Sequence, residues 1–153
     1  MIAFTFAGWS GSGKTTLIER LIEGFRGRGR SVAVVKKVPH GADLEPQGKD
    51  TARFRRAGAV PVFAVGAGEM LTAEPVASEA AAWQQIVGRA GAQSVLLLEG
   101  LVVPGVPVIE VTMTGYPLKT PPERLVAVVG DGPAVADRPR FSANPRKTPS
   151  SWK

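Results

Sequence analysis

Gly8-Trp9-Ser10-Gly11-Ser12-Gly13-Lys14-Thr15 fits the pattern G-x-x-x-x-G-K-[ST] at every position. The run before it, IAFTFA (2–7), is apolar and breaks at Gly8, as a buried strand does. After it, Leu17, Ile18, Leu21, Ile22 and Phe25 recur at helical spacing with polar residues opposite, so residues 14–25 predict an amphipathic helix. A glycine-rich turn from a buried strand into a helix is what a phosphate cradle requires. Gly8, Gly11 and Gly13 let backbone N–H groups converge on phosphate oxygens. The first helical turn adds free N–H groups and the positive end of the helix dipole. The phosphate-binding set is Gly8, Ser10, Gly11, Ser12, Gly13, Lys14, Thr15 and Thr16. Within it Lys14 would reach the β- and γ-phosphates, and Thr15 would offer its hydroxyl to Mg²⁺. Trp9 either packs or stacks at the mouth of the loop, or fills a gap.

Outward from the loop, SVAVVK (31–36) is a second strand and residues 37–48 form a loop with Pro39, Gly41, Pro46 and Gly48. KDTARFRRAGA begins with a short helix. VPVFAVG and EMLTA flank Gly66-Ala67-Gly68 as a hairpin. Ser78 caps a helix over EAAAWQQIVGRA that stops at Gly91. SVLLL (94–98), VIEVTM and LVAVV are further strands, and the prolines from Pro133 onward predict irregular structure. Strand and helix alternate, and the strands are apolar throughout rather than alternating. The expected fold is therefore α/β, a mixed, mainly parallel sheet flanked by helices, of the P-loop NTPase type. Residues 1–137 form the nucleotide-binding domain, and 138–153 form a basic, Pro-rich tail.

Composition narrows the chemistry. The chain has 153 residues, 44% hydrophobic and 21% charged, an ordinary globular balance long enough for a core. It has no cysteine and one histidine, so disulfides, zinc–thiolate sites, cysteine nucleophiles and histidine-rich metal sites are excluded. No apolar run approaches the ~20 residues of a membrane span. The amino-terminal stretch lacks the n- and h-regions of a secretory signal, so a cytoplasmic location is expected. Residues 1–56 carry eleven Lys/Arg and five Asp/Glu, 57–137 three and eight, and 138–153 five and none. A basic front with an acidic middle fits a local anionic ligand better than a uniform nucleic-acid surface.

A P-loop needs a second acid for magnesium, usually at the end of a buried strand. Glu99, after SVLLL and before Gly100, stands where that acid is expected; Asp43, Glu45 and Asp50 offer another route. Lys49, Arg53 and Arg56 share one helical face by i, i+4 and i+3 spacing, with Arg55 beside them. That face suits a triphosphate, another phosphate or an acidic partner, or is simply solvated. The usual Asn/Thr-Lys-x-Asp guanine reader is absent. Asp131, after LVAVVG, either accepts from guanine N1–H and its 2-amino group or belongs to an ordinary Asp-Gly turn. No water-positioning Gln or Asp and no arginine finger stands in a recognisable motif, so hydrolysis is expected to be slow.

GWSGSGKTTLIERLI, VAVVKK, DLEPQGKDTARFRRAGA, LLLEGL and VIEV together resemble the molybdopterin-guanine dinucleotide biosynthesis protein B family over about residues 2–130. The P-loop is widely shared; the segment over 48–59 is far more specific. The resemblance implies a homodimeric P-loop protein that binds GTP with Mg²⁺ and has at most weak GTPase activity. It implies an adapter that assists a molybdopterin guanylyltransferase in attaching GMP to molybdopterin. Carried over by position, residues 8–16 are the phosphate loop, Lys49 and Asp50 fall in the family segment, Arg53 or Arg56 takes its basic positions, and Glu99 is the strand-end acid. The sequence departs from the family where a histidine-rich stretch is common: only His40 remains. Its basic carboxyl-terminal end does not align.

Two other classes compete. A small-molecule kinase would use the P-loop with Arg53, Arg55 and Arg56 as a lid, but no acceptor pocket or long lid is evident. A nucleic-acid-associated NTPase would use Arg138, Arg140, Arg146 and Lys147, a charge set able to give only salt-sensitive, unspecific binding. Neither nucleic acid nor membrane is an expected partner.

Overall fold

The computed structural model describes residues 1–38, 49–92 and 94–142, with Lys49 in its backbone alone. The loop expected at 37–48 lies outside the described residues from position 39, with His40, Asp43 and Glu45; so do Arg146 and Lys147. The chain divides into two compact units, one of Met1–Lys37 with Val87–Lys153 and one of Val38–Ile86.

The first unit is built on a six-stranded sheet. Its strands are β1 (Ile2–Ala7), β2 (Val32–Lys36), β5 (Val95–Glu99), β6 (Val108–Thr112), β7 (Leu125–Gly130) and β8 (Arg140–Phe141), in the order β2-β5-β1-β6-β7-β8. Every pairing is parallel. Parallel strands are covered on both faces and so read as continuous apolar runs; Val95, Leu96, Leu97 and Leu98 are all fully buried. Helix α1 (Lys14–Arg26) lays its apolar stripe on one face. There Ile18 joins Phe6, Val95 and Leu97, with Leu17, Leu21, Ile22 and Phe25 around them. Burying one such isoleucine contributes about 1.5–3 kcal/mol, so this stripe fixes where the amino end of α1 points.

The other face is covered partly by loops. The Thr5 hydroxyl, buried, donates to the Leu101 carbonyl at 2.9 Å. Leu118 and Val135 close over Val108, Leu125 and Val128. The crossover from β6 to β7 contains no α-helix, only a short 3-10 turn at Pro122–Arg124. Its anchor is Glu110, a buried carboxylate in mid-strand that accepts the N–H of Lys119 at 2.5 Å and of Thr120 at 2.8 Å.

In the second unit, α2 (Lys49–Arg56) packs on the hairpin of β3 (Val62–Gly66) and β4 (Glu69–Ala73). Helix α3 (Glu79–Ala90) runs from this unit into the first, and its Ala81 N–H is capped by the Ser78 hydroxyl at 3.1 Å. The hairpin forms as expected, but as a sheet of its own; the antiparallel element does not join the parallel sheet. The stretch after Pro133 also differs from its irregular reading at one point. Arg140–Phe141 pairs with β7, and the Arg140 guanidinium donates to the carbonyls of Gly130 and Gly132 at 2.9–3.1 Å. Among the described residues no helix is long and apolar enough to cross a membrane.

Candidate functional site

The phosphate loop leaves the carboxyl end of β1, between β5 and β6. Crevices outside the carboxyl ends of parallel strands are where such sheets take ligands. Gly8 is required by space: a Cβ there would meet the Val111 carbonyl oxygen at 2.4 Å and the Ser12 hydroxyl at 2.9 Å. Gly11 and Gly13 take φ of 78° and 93°, and nothing crowds them. Gly13 is the N-cap of α1 and supplies no side-chain cap, nor is there an acid in the first turn. The leading N–H groups of α1 are thus left for an outside acceptor.

Lys14 folds back over the loop. Its Nζ donates to the carbonyls of Gly8 at 3.1 Å and Trp9 at 2.7 Å. Burial holds its pKa below the ordinary lysine value of 10.5; Glu99 opposes this, while Lys119 and Lys36 add to it. The Thr15 hydroxyl lies 3.2–3.3 Å from both carboxylate oxygens of Glu99. The Glu99 side chain is 15% exposed and has the Lys36 ammonium at 3.9 Å. Among the described residues, three lysines and one carboxylate therefore converge on an uncapped helix start. The Ser12 hydroxyl is buried without a hydrogen-bond partner among the described residues, a cost that an acceptor in the loop would remove.

These residues fit a magnesium-bound polyphosphate. The loop offers N–H donors and an ammonium, and Thr15 with Glu99 offers hard oxygen donors. Mg²⁺ is commonly held by one or two carboxylates together with substrate phosphates. No cluster of three or more His, Cys, Asp or Glu stands among the described residues as a rival metal site.

The crossover after β6 meets the mouth of the loop. The Trp9 indole N–H donates to the Pro117 carbonyl at 2.9 Å. The Tyr116 ring lies 5.8 Å from the Trp9 ring, and the Lys119 ammonium 5.5 Å from it. Trp9 thus packs at the loop mouth. Sequence reasoning missed Tyr116, Lys119 and Glu110. An acid inside the apolar run VIEVT was the one available signal, and nothing local in sequence ties Lys119 to Trp9.

Asp131 stands exposed just after β7, at the carboxyl edge of the same sheet. Its carbonyl accepts from the Thr114 hydroxyl at 3.2 Å. Gly132 packs so closely on Met113 that a Cβ would meet its backbone at 2.6 Å. Arg53 and Arg56 lie on α2 in the other unit. Arg53 is 3.6 Å from Asp50, an exposed pair, whereas Arg56 and Arg55 line a cleft beside the hairpin.

Comparison with known proteins adds four findings. A molybdopterin-guanine dinucleotide biosynthesis adapter protein of Escherichia coli (strain K12) is 44% identical over 54 residues, 35% of this chain and 31% of that protein. The protein of the same description from Haemophilus influenzae (strain ATCC 51907 / DSM 11121 / KW20 / Rd) is 43% identical over 56 residues, 37% and 32% of the two chains. The matched segment spans about a third of the length of these relatives. The crystal structure of Bacillus subtilis MobB superimposes with a TM-score of 0.68 at 23% identity, covering 94% of this chain and 90% of that one, and shows the shared fold. The profile of MobB, molybdopterin guanine dinucleotide synthesis protein B, matches residues 3–131. With most of its length inside that match, and the phosphate loop with it, this chain belongs to the MobB family.

Proposed function

We propose that the chain binds GTP with Mg²⁺ on the phosphate loop and acts as an adapter in molybdopterin guanine dinucleotide biosynthesis, assisting a molybdopterin guanylyltransferase that attaches GMP to molybdopterin. The observation that carries the nucleotide half is the uncapped start of α1 under Lys14, with Thr15 against Glu99. The adapter half follows from family membership and from the descriptions of the two relatives. A cytoplasmic location goes with this reading.

In it, the backbone of residues 8–16 holds the phosphates and the Lys14 ammonium exchanges its loop carbonyls for phosphate oxygens. Thr15 and Glu99 would hold Mg²⁺, which when bound offsets charge on the phosphate oxygens. Asp131 would accept from the guanine edge. Slow hydrolysis is part of the proposal, since the sequence carries no recognisable water-positioning motif. The helix with Lys49, Asp50, Arg53 and Arg56 serves as an anion or partner surface. A homodimer is part of the proposal, supported by the hairpin: Phe63, Val65 and Met70 fall on one face of it and are 56%, 81% and 63% exposed.

The adapter role is tested by reconstitution. Purified guanylyltransferase receives molybdopterin and limiting GTP, and the dinucleotide formed is measured with wild-type chain, Lys14→Ala chain or none. Wild type is expected to raise the yield and Lys14→Ala to leave it at the level without adapter. No effect of wild type, or full effect of the variant, would overturn the proposal.

A further inference from the structure

We infer that the second unit holds a ligand site of its own: a cleft of about 390 Å³ between α2 and the β3–β4 hairpin takes a small organic phosphate, with the phosphate on Arg55 and Arg56 and an uncharged ring on the apolar wall. The inference rests on the reading of α2 as an anion-binding helix and does not depend on what the phosphate loop binds. It changes which residues carry that role.

The wall is made by Ala52, Ala59 and Ala73, with Val60 and Pro75 at its edges. Three alanines leave a low surface on which a flat ring can lie. The volume falls near the lower end of small-molecule sites, and the open lining is shared about equally between the two guanidinium groups with other polar atoms and the apolar wall. It has room for a ring with one phosphate and is small for a dinucleotide.

The arginines of α2 differ in their partners. On the same helix Arg53 has Asp50 at 3.6 Å. Among the described residues neither Arg55 nor Arg56 has an ion-pair partner. The carboxyl end of a helix ordinarily disfavours an anion. Here its carbonyls are occupied: Arg53, Phe54 and Arg55 accept the N–H groups of Ala57, Ala59 and Gly58 at 2.9–3.0 Å. Two guanidinium forks beside one cleft exceed what a single carboxylate can use. They match the doubly charged head of a phosphate monoester, whose three terminal oxygens accept several N–H bonds together.

The test is amide NMR on the full chain carrying Lys14→Ala, so that the phosphate loop does not compete for the probe. Phenyl phosphate is titrated, with phenol and inorganic phosphate as controls. Shifts are expected to cluster at Ala52, Ala59, Val60 and Ala73, and phenyl phosphate is expected to bind more tightly than either half alone. Arg55→Gln with Arg56→Gln should weaken it about tenfold or more, since hydrogen bonds to charged groups contribute at least that factor each. The same spectra show whether the variants are folded. Shifts that are absent up to about 10 mM, scattered over the chain, or unaffected in the folded arginine variant would overturn the inference; a Kd weaker than this corresponds to very little binding free energy. Inorganic phosphate binding as tightly as phenyl phosphate would overturn the assignment of the wall. Separate spectra of wild type with GTP report at residues 9–16, so failure of the cleft and failure of the loop give different signals.

Discussion

Lys14 is the residue on which the nucleotide reading turns. Its ammonium is partly buried, holds two loop carbonyls, and sits, among the described residues, near Lys36, Lys119 and the carboxylate of Glu99. Burial lowers its pKa from 10.5, and two consequences have opposite signs. Between the lowered value and 10.5 the unfolded chain binds more protons than the folded one, so this residue's contribution to stability rises with pH across that window. Affinity for an anion falls over the same range, because only the ammonium attracts phosphate. Sulfate, whose charge is constant over this range, should bind less well as Lys14 loses its proton at alkaline pH, with the decline beginning below 10.5, and Lys14→Ala should remove that part of the dependence. A decline that is the same in the variant would assign it to the other lysines. Gly8 gives a second test at this scale. A Cβ 2.4 Å from a backbone carbonyl, at φ 134°, has nowhere to go, and Gly8→Ala should cost about 2–5 kcal/mol in denaturant unfolding. A loss under about 1 kcal/mol would mean that the loop relaxes around it.

Among the elements, those with strong local patterns were legible in sequence. Residues 14–25 carry a complete apolar stripe, and α1 is Lys14–Arg26. The hairpin turn, the Ser78 cap and the buried run before Glu99 were also readable, because each depends on residues close together in the chain. The crossover after β6 was not. Its fold is set by Glu110 reaching residues nine and ten positions on, and by Trp9 reaching Pro117 across 108 positions. The pairing of Arg140–Phe141 with β7 was hidden for a similar reason: two residues give no periodicity. Glu110→Gln should expose the dependence of the crossover on its anchor. An amide can accept from one of the two N–H groups but must turn a donor toward the other, so a loss of about 2–3 kcal/mol is expected. Trp9 emission should change with it, because the Pro117 carbonyl holds the indole. Unchanged stability and emission would mean that the crossover is held by Leu118 packing alone.

At the scale of the molecule, the apolar strands and the early strand–helix alternation were enough to give a mainly parallel α/β sheet. They could not show that the hairpin would stand apart from it, since strand pairing is not written in either partner by itself. Nor could they show that Arg55 joins Arg56 at a cleft while Arg53 turns to Asp50. The exposed hairpin face is the feature least suited to an isolated chain. Val65→Asp should convert a dimer to monomer in sedimentation velocity; a wild type that is monomeric at all concentrations would remove the homodimer from the proposal. In the proposed function the loop between β1 and α1 takes GTP in preference to ATP. Calorimetric titration of each nucleotide with Mg²⁺ into wild type and Lys14→Ala is the decisive measurement. GTP should bind at least about tenfold more tightly than ATP, a difference of about 1.4 kcal/mol, and the variant should lose that binding. Equal or tighter binding of ATP would contradict the guanine-nucleotide adapter and turn the search toward a phosphoryl acceptor.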